Sequence, residues 1–274
     1  MSKYLPITDS YTITKVNKPN IMPEKIPVQL EPRTNIVKKD KKYTNDTKYE
    51  SCADNNIFFP LAKRLVDPLH SIGLSPNMVT ILSTCFTFLS THFLRNNKNI
   101  LAMSSYLLGY TLDCVDGKMA RKYLISSDIG MALDMVSDNI SNIYIIIFIL
   151  YYYKLNTKNI AFLIILAYMS YMLSVSYGLG EAISSYDATG SDNFYERKIK
   201  QLDGGNKGTN CFEKILYKIY LFIIKISYSS YRKEFPVYNE ELINKKLESL
   251  KEFGPGNYCL IFSIIILFLH REIK

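Results

Sequence analysis

The sequence has few of the residues that build disulfide frameworks or histidine-based metal centres. Its 274 residues include five cysteines and three histidines, which lie far apart, and no two cysteines have the C-x-x-C spacing. These spacings argue against a secreted disulfide scaffold and against a zinc site. The chain also lacks charge over several long apolar stretches, although its net charge is +8. That segregation excludes a simple soluble domain and a wholly disordered chain.

The first part of the chain is polar and is predicted to be a separate tail. Residues 1–56 contain five of the ten prolines and a basic cluster at residues 38–42. Few apolar residues recur there at helical or strand spacing, so we expect a disordered tail. The basic cluster is interpreted as a solvated charge run. The remainder, residues 57–274, is predicted to be one membrane-embedded domain.

Six segments of that domain are apolar enough to cross a bilayer, which requires about 20 helical residues. We therefore predict an all-α integral membrane protein with six transmembrane helices, the fifth of which is interrupted by lysines. An amphipathic segment, residues 57–73, is predicted to lie on the membrane surface in short helical pieces, because Pro60 and Pro68 interrupt it. The predicted spans are residues 71–94, 99–112, 139–153, 159–180, 211–231 and 253–269.

Four aspartates stand beside these apolar segments. Asp113 and Asp116 are three residues apart, and Asp134 and Asp138 are four apart, so each pair shares one helix face. A short loop between two antiparallel helices would place both faces at the same depth. One aspartate at the centre of a membrane helix costs about 2.5–3.5 kcal/mol, and like charges repel each other. Oxygen ligands without histidine or cysteine favour a hard cation, and two ions would suit displacement at phosphorus.

Small and basic residues occur at fixed offsets around these aspartates. The pattern along the chain is Asp113-x-x-Asp116-Gly117-x-x-Ala120-Arg121, eight residues, then Gly130-x-x-x-Asp134-x-x-x-Asp138. All eight positions resemble the signature of the class-I CDP-alcohol phosphatidyltransferases. The segment 75–80 also resembles the Pro-Asn-x-x-Thr turn that opens the first span of that family. The resemblance covers about residues 57–180.

The resemblance implies a six-helix membrane domain that forms a homodimer, with its site at the cytoplasmic edge of the membrane. It implies that Asp113, Asp116 and Asp134 bind divalent cations, two Mg²⁺ or Mn²⁺ ions, at the donor pyrophosphate. Asp138 would be the general base and a further metal ligand. Contacts with the nucleotide and phosphates of the CDP donor are implied for Gly117, Ala120, Arg121, Gly130, Asn77 and Thr80.

The implied reaction moves a substituted phosphate group from a CDP-linked donor to an alcohol hydroxyl and releases CMP. The expected donor is CDP-diacylglycerol, and the alternative is an amino-alcohol phosphotransferase that uses CDP-choline or CDP-ethanolamine with diacylglycerol. Asn139 stands where several family members that bind phosphorylated acceptors or inositol carry lysine or arginine, which argues against those acceptors. Membrane lipids are expected partners and nucleic acid is not. An inactive scaffold and a cation transporter are the alternatives from other classes.

A second basic cluster follows the fourth predicted span. Arg197, Lys198 and Lys200 lie close together in a polar stretch. Such residues could meet anionic lipid or an acceptor phosphate, but basic residues next to membrane spans are common. We therefore expect a solvated loop at these positions.

Overall fold

The computed structural model describes residues 49–152, 160–205 and 210–269, and every regular element in them is helical. A π-helical turn, Asp54–Phe58, precedes α1, and a short 3-10 turn, Lys251–Phe253, precedes α9. Within these ranges the α-helices are α1 (Phe59–Ser71), α2 (Pro76–Arg95), α3 (Asn99–Lys122), α4 (Asp128–Tyr152), α5 (Ile160–Thr189), α6 (Phe194–Gly205), α7 (Cys211–Glu234), α8 (Glu240–Leu250) and α9 (Pro255–Phe268).

The predicted tail falls largely outside this description. Residues 1–48 lie outside the described residues, so the prediction of a tail stays a prediction there. Its predicted end at residue 56 differs from the structure, in which helical backbone begins at Cys52. Between these positions the Asp54 side chain bonds to two distant helices, and such contacts leave no periodic pattern in a sequence.

The six predicted membrane segments correspond to α2, α3, α4, α5, α7 and α9, with residues 153 and 159 outside the described part. Three described stretches are long and apolar enough to cross a membrane: Pro76–Arg95, Asp128–Tyr151 and Glu240–Phe268. The last of these includes both α8 and α9. In α3 the hydropathy is lower because five of its last ten residues are charged.

The amphipathic segment forms one continuous helix, α1, so the prediction of short helical pieces is wrong. Pro60 lies in the first turn, where a backbone N–H has no partner within the helix, and its ring fits there. The helix continues past Pro68 to Ser71, whose hydroxyl donates to the Pro68 carbonyl over 2.8 Å. Ala62 and Val66 are fully buried where α1 packs against α2 and α3.

An exposed polar link joins α1 to the end of α3. The Asp67 carboxylate accepts hydrogen bonds from Lys122 and from the Tyr123 hydroxyl, the latter over 2.8 Å. Both hydrogen bonds lower the pKa of the Asp67 carboxyl from its ordinary value, and the bond from Lys122 has the larger effect. The ring of His70 stacks on that of Tyr123, with 3.6 Å between their centroids. Because the Asp67 side chain is 60% exposed, water screens this link and it adds little stability.

Two helices, α6 and α8, lie in polar stretches outside the predicted membrane segments. Asn239 caps α8 by accepting the Leu242 N–H over 3.1 Å. One face of α8 is buried through Ile243, Leu247 and Leu250, which are four and three residues apart. The cap and the spacing are both visible in the sequence, but charged residues between them obscure the pattern.

The helices α5 and α7 approach each other closely at Gly178. A β-carbon at Gly178 would lie 2.7 Å from the Ser227 carbonyl oxygen and 3.1 Å from the Tyr231 β-carbon. The hydroxyls of Ser174 and Ser227 share a hydrogen bond of 3.1 Å beside this contact. Small side chains therefore allow the two backbones to meet, as in many membrane helix pairs.

We expect Gly178→Ala to lower the melting temperature of the detergent-solubilised protein. The added methyl group would push against the α7 backbone, and such overpacking costs about 1–3 kcal/mol. Gly180→Ala is the matched control, because a β-carbon at Gly180 meets nothing within 4 Å. Equal melting temperatures for the two variants would contradict this account of the α5–α7 contact.

Candidate active site

A five-residue turn, residues 123–127, reverses the chain between α3 and α4. The N–H of Ile125 donates to the Ala120 carbonyl over 3.0 Å, and that of Leu124 to the Arg121 carbonyl over 3.4 Å. This pair of bonds ends many helices, with glycine at the position that Leu124 occupies. Leu124 has a left-handed φ of 56°, a conformation that costs about 1–2 kcal/mol without glycine. The turn places the end of α3 beside the start of α4.

The four predicted aspartates meet between these two helices. Asp113, Asp116 and Asp134 each offer a carboxylate oxygen, and these oxygens lie within 4.8 Å of one another. Asp116 is buried, and the other two are half-buried. Asp138 lies one turn further along α4, with its carboxyl within hydrogen-bonding reach of Asp113. The two pairs of aspartates thus face each other across the hairpin, as their spacing predicts.

The charge of this cluster is not balanced by the basic side chains that the structure describes. No basic nitrogen of the described residues lies within 4.0 Å of a carboxylate oxygen of these four aspartates, so none of them forms an ion pair there. Arg121 is near enough to attract Asp116 and Asp134. The Oδ1 atom of Asp113 is buried and has no hydrogen-bond partner among the described residues. Closely spaced carboxylate oxygens with an unused acceptor are a donor set that fits a hard divalent cation.

The Arg121 side chain folds back over Gly117, one turn earlier on α3. A β-carbon at Gly117 would lie 3.2 Å from Nη1 of Arg121 and 3.4 Å from Nη2. The Nε atom of Arg121 is buried without a hydrogen-bond partner among the described residues. Glycine therefore leaves room for the guanidinium beside the carboxylates. Ala120 is half-buried in the same last turn of α3.

The start of α2 contributes two further residues that the sequence analysis had named. The Thr80 hydroxyl lies 2.6 Å from Oδ2 of Asp116 and donates to it. Asn77 lies against Gly130, where a β-carbon would be 2.8 Å from Oδ1 of Asn77. The contact of Thr80 with a carboxylate of the cluster was not predicted, since 36 residues separate the partners and no periodicity relates them.

A polar cluster that the sequence pattern does not predict lies beside the first turn of α4. Glu181 on α5 pairs with Arg197 over 3.2 Å, and its Oε2 atom lies 3.8 Å from Nζ of Lys198. Lys198 is 7% exposed, and its Nζ atom is 3.3 Å from Sδ of Met131. The prediction of a solvated loop is therefore wrong, because Arg197, Lys198 and Lys200 all lie on α6, and Lys200 alone of the three is exposed. Arg197 and Lys198 turn towards an acid on another helix.

Comparison with known proteins identifies the region that holds this site. Residues 74–194 match the family model described as CDP-alcohol phosphatidyltransferase. An uncharacterized protein of Aquifex aeolicus (strain VF5) is 31% identical over 87 residues, which are 30% of this chain and 44% of that relative. The match thus spans less than half of the relative. No solved structure matches the chain. Residues 74–194, which hold the four aspartates, thus match the CDP-alcohol phosphatidyltransferase family, whose members are transferases of substituted phosphate groups.

Proposed function

We propose that the chain is a membrane enzyme of phospholipid synthesis that transfers a substituted phosphate group from CDP-diacylglycerol to an alcohol hydroxyl and releases CMP. One observation carries the proposal. The four aspartates of the family signature converge at the α3–α4 hairpin, inside the region that matches the family. A packing role alone would give no reason to gather four acids between two helices.

In this proposal six helices cross the membrane, namely α2, α3, α4, α5, α7 and α9, and α1 lies on the membrane surface. Two of the helices outside the candidate spans present bulky apolar side chains to their surroundings, which supports contact with lipid. Examples are Ile164 and Ile165 on α5 and Ile215 and Phe222 on α7, which are 54–63% exposed. The basic end of α3 favours a cytoplasmic site by the positive-inside rule. The functional unit is proposed to be a homodimer.

Divalent cations are proposed at the aspartate cluster. Asp113, Asp116 and Asp134 would hold two Mg²⁺ or Mn²⁺ ions, with Asp138 as a further ligand. When bound, such ions neutralise the donor pyrophosphate and stabilise charge on the phosphoryl oxygens. The unpartnered oxygen of Asp113 and the lack of described ion pairs at the four acids support this assignment.

The remaining steps are proposed for the side chains themselves. Asp138 takes the proton of the acceptor hydroxyl as the oxygen of that group attacks phosphorus. The new P–O bond forms while the bond from the same phosphorus to the CMP oxygen breaks, and CMP leaves with that electron pair. Arg121 would hydrogen-bond phosphate oxygens of the donor through its guanidinium. Gly117, Ala120 and Gly130 are proposed to let the nucleotide approach the helix backbones, and Asn77 is proposed to contact it.

Replacement of the Asp138 carboxylate tests the proposed reaction most directly. We expect Asp138→Asn to lower CMP release at least 100-fold, because a general base contributes about 10²–10⁴ in rate. The assay uses purified protein in detergent with CDP-diacylglycerol, Mn²⁺ and inositol, serine, glycerol 3-phosphate or phosphatidylglycerol in turn. Asp128→Asn is the matched control, since this carboxylate on α4 bonds to Gln201 instead.

The other outcomes of this assay separate the alternatives. Full activity of Asp138→Asn would show that the proton is taken elsewhere. Release of CMP only from CDP-choline or CDP-ethanolamine with diacylglycerol would identify an amino-alcohol phosphotransferase. No release from any donor, by protein that binds Mn²⁺, would contradict the transferase proposal and favour a scaffold. Cation flux in liposomes without nucleotide would favour a transporter.

The hydrogen bond from Thr80 provides a test of the metal site that does not need turnover. We expect Thr80→Val to weaken Mn²⁺ binding about tenfold, because the Asp116 carboxylate loses a donor that fixes its orientation, and bonds to charged groups are worth about 1.5–3 kcal/mol. Binding is followed by the EPR signal of free Mn²⁺. Thr84→Val is the control, since the Thr84 hydroxyl bonds only to the Thr80 carbonyl of its own helix. Equal losses in both variants would contradict the role given to Thr80.

A further inference from the structure

A fifth buried carboxylate, Asp54, lies outside the aspartate cluster and outside the region that matches the family. Its residue is 0% exposed. The Oδ1 atom accepts a hydrogen bond from the Tyr110 hydroxyl over 2.7 Å. The Oδ2 atom accepts two, from the Ser51 hydroxyl over 2.7 Å and from the Gly256 N–H over 2.9 Å. Three separate parts of the chain therefore meet at one side chain: the segment before α1, helix α3 and the start of α9.

These hydrogen bonds take the place of an ion pair. The described basic side chains make no ion pair with Asp54. The N-terminus of α9 carries partial positive charge and free N–H groups, which favour a carboxylate. The N-cap residue of α9, Gly254, has no side chain with which to cap it. Asp54 supplies that cap from 202 positions earlier in the sequence. A β-carbon at Gly256 would overlap the carboxylate, so glycine is what permits this approach.

The contact with Tyr110 connects Asp54 to the candidate active site. Tyr110 precedes Asp113 by three residues on α3, so the two side chains lie on neighbouring turns of one face. The ring of Phe58 packs edge-on against the Tyr110 ring, with 4.6 Å between the centroids. Asp54 is near enough to Asp113 for the two charges to repel each other. Any rotation of α3 that moves Asp113 would therefore stretch the Tyr110 hydrogen bond.

We infer that Asp54 is a positioning residue for Asp113, because it ties Tyr110 to the start of α9 and so fixes the rotation of α3 at the metal-binding carboxylates. The inference rests on the proposed function only for its effect on turnover, since metal binding can be measured without substrate. Small shifts matter at such a site, because Mg²⁺ requires near-octahedral ligands at about 2.0–2.1 Å. The segment before α1 and helix α9 thereby help to position the metal-binding carboxylates, although both lie outside residues 74–194.

A matched pair of tyrosine variants tests this inference on the full chain in detergent. Tyr110→Phe removes the hydroxyl that bonds Asp54 and keeps the ring that packs on Phe58. Tyr123→Phe removes the equivalent hydroxyl, which bonds Asp67 over 2.8 Å, and keeps a ring that stacks on His70. We expect Tyr110→Phe to raise the dissociation constant of Mn²⁺ about fivefold, the scale of one lost hydrogen bond, and Tyr123→Phe to leave it within twofold.

The measurements are the free-Mn²⁺ EPR signal, the melting temperature and CMP release at saturating Mn²⁺. Unchanged Mn²⁺ affinity of Tyr110→Phe would overturn the inference even if its melting temperature fell, since that would show a purely structural role. Equal weakening in both tyrosine variants would overturn it as well. If Tyr110→Phe does not fold, Ser51→Ala takes its place, because it removes another donor from Asp54, and unchanged Mn²⁺ affinity there has the same meaning.

The test also separates this inference from the proposed function. Weaker Mn²⁺ binding by Tyr110→Phe, in a protein whose native form releases no CMP from any donor, would support the positioning role and contradict the transferase. CMP release by the native form, together with Mn²⁺ affinity that Tyr110→Phe leaves unchanged, would support the transferase and overturn the positioning role.

Discussion

Mutual repulsion among carboxylates held between two helices is the constraint on which the rest of this structure depends. Asp113, Asp116, Asp134 and Asp138 gather where water is scarce, and each would be less costly alone in solvent. The turn after α3 and the packing of α2 keep the helices in place despite that repulsion. The fold therefore holds these acids together against their repulsion, which supports the divalent cations proposed at this cluster.

Three acidic side chains of the protein lie in three different environments. Asp67 stays in water and pairs with a lysine, at little cost and little gain. Asp54 is fully buried and is satisfied by three donors of the protein itself. Asp113 is half-buried and keeps an unused acceptor oxygen. Asp113 differs from the other two because a buried oxygen of its carboxylate has no described partner, which supports its proposed role as a metal ligand.

Local spacing explains what the sequence could predict. The i, i+3 and i, i+4 intervals place Asp113 with Asp116 and Asp134 with Asp138, and a five-residue turn is too short to let the two faces diverge. The long helices were predicted for the same reason, since apolar runs are local too. Pro68 was expected to end a helical piece, because proline in a helix interior removes a hydrogen bond, but α1 continues through it to Ser71.

Contacts between distant residues explain what the sequence could not predict. Lys198 pairs with Glu181 and Thr80 bonds Asp116, but nothing in the residue order relates either pair. Asp54 is the extreme case, because it lies in a stretch interpreted as a tail and its partners are 56 and 202 residues away. In a sequence, a charged residue that contacts another helix cannot be told apart from one that faces water.

The sequence separation between Asp54 and Gly256 determines when the hydrogen bonds of Asp54 can form during synthesis. A ribosome adds about 5–20 residues per second, so the 202 residues from Asp54 to Gly256 take roughly 10–40 s to appear. During that time α3 and α4 can pair, but the carboxylate of Asp54 lacks its α9 donor. On the inference that Asp54 positions Asp113, the aspartates can come together before their alignment is fixed. Synthesis of α9 then supplies the last hydrogen-bond donor of Asp54.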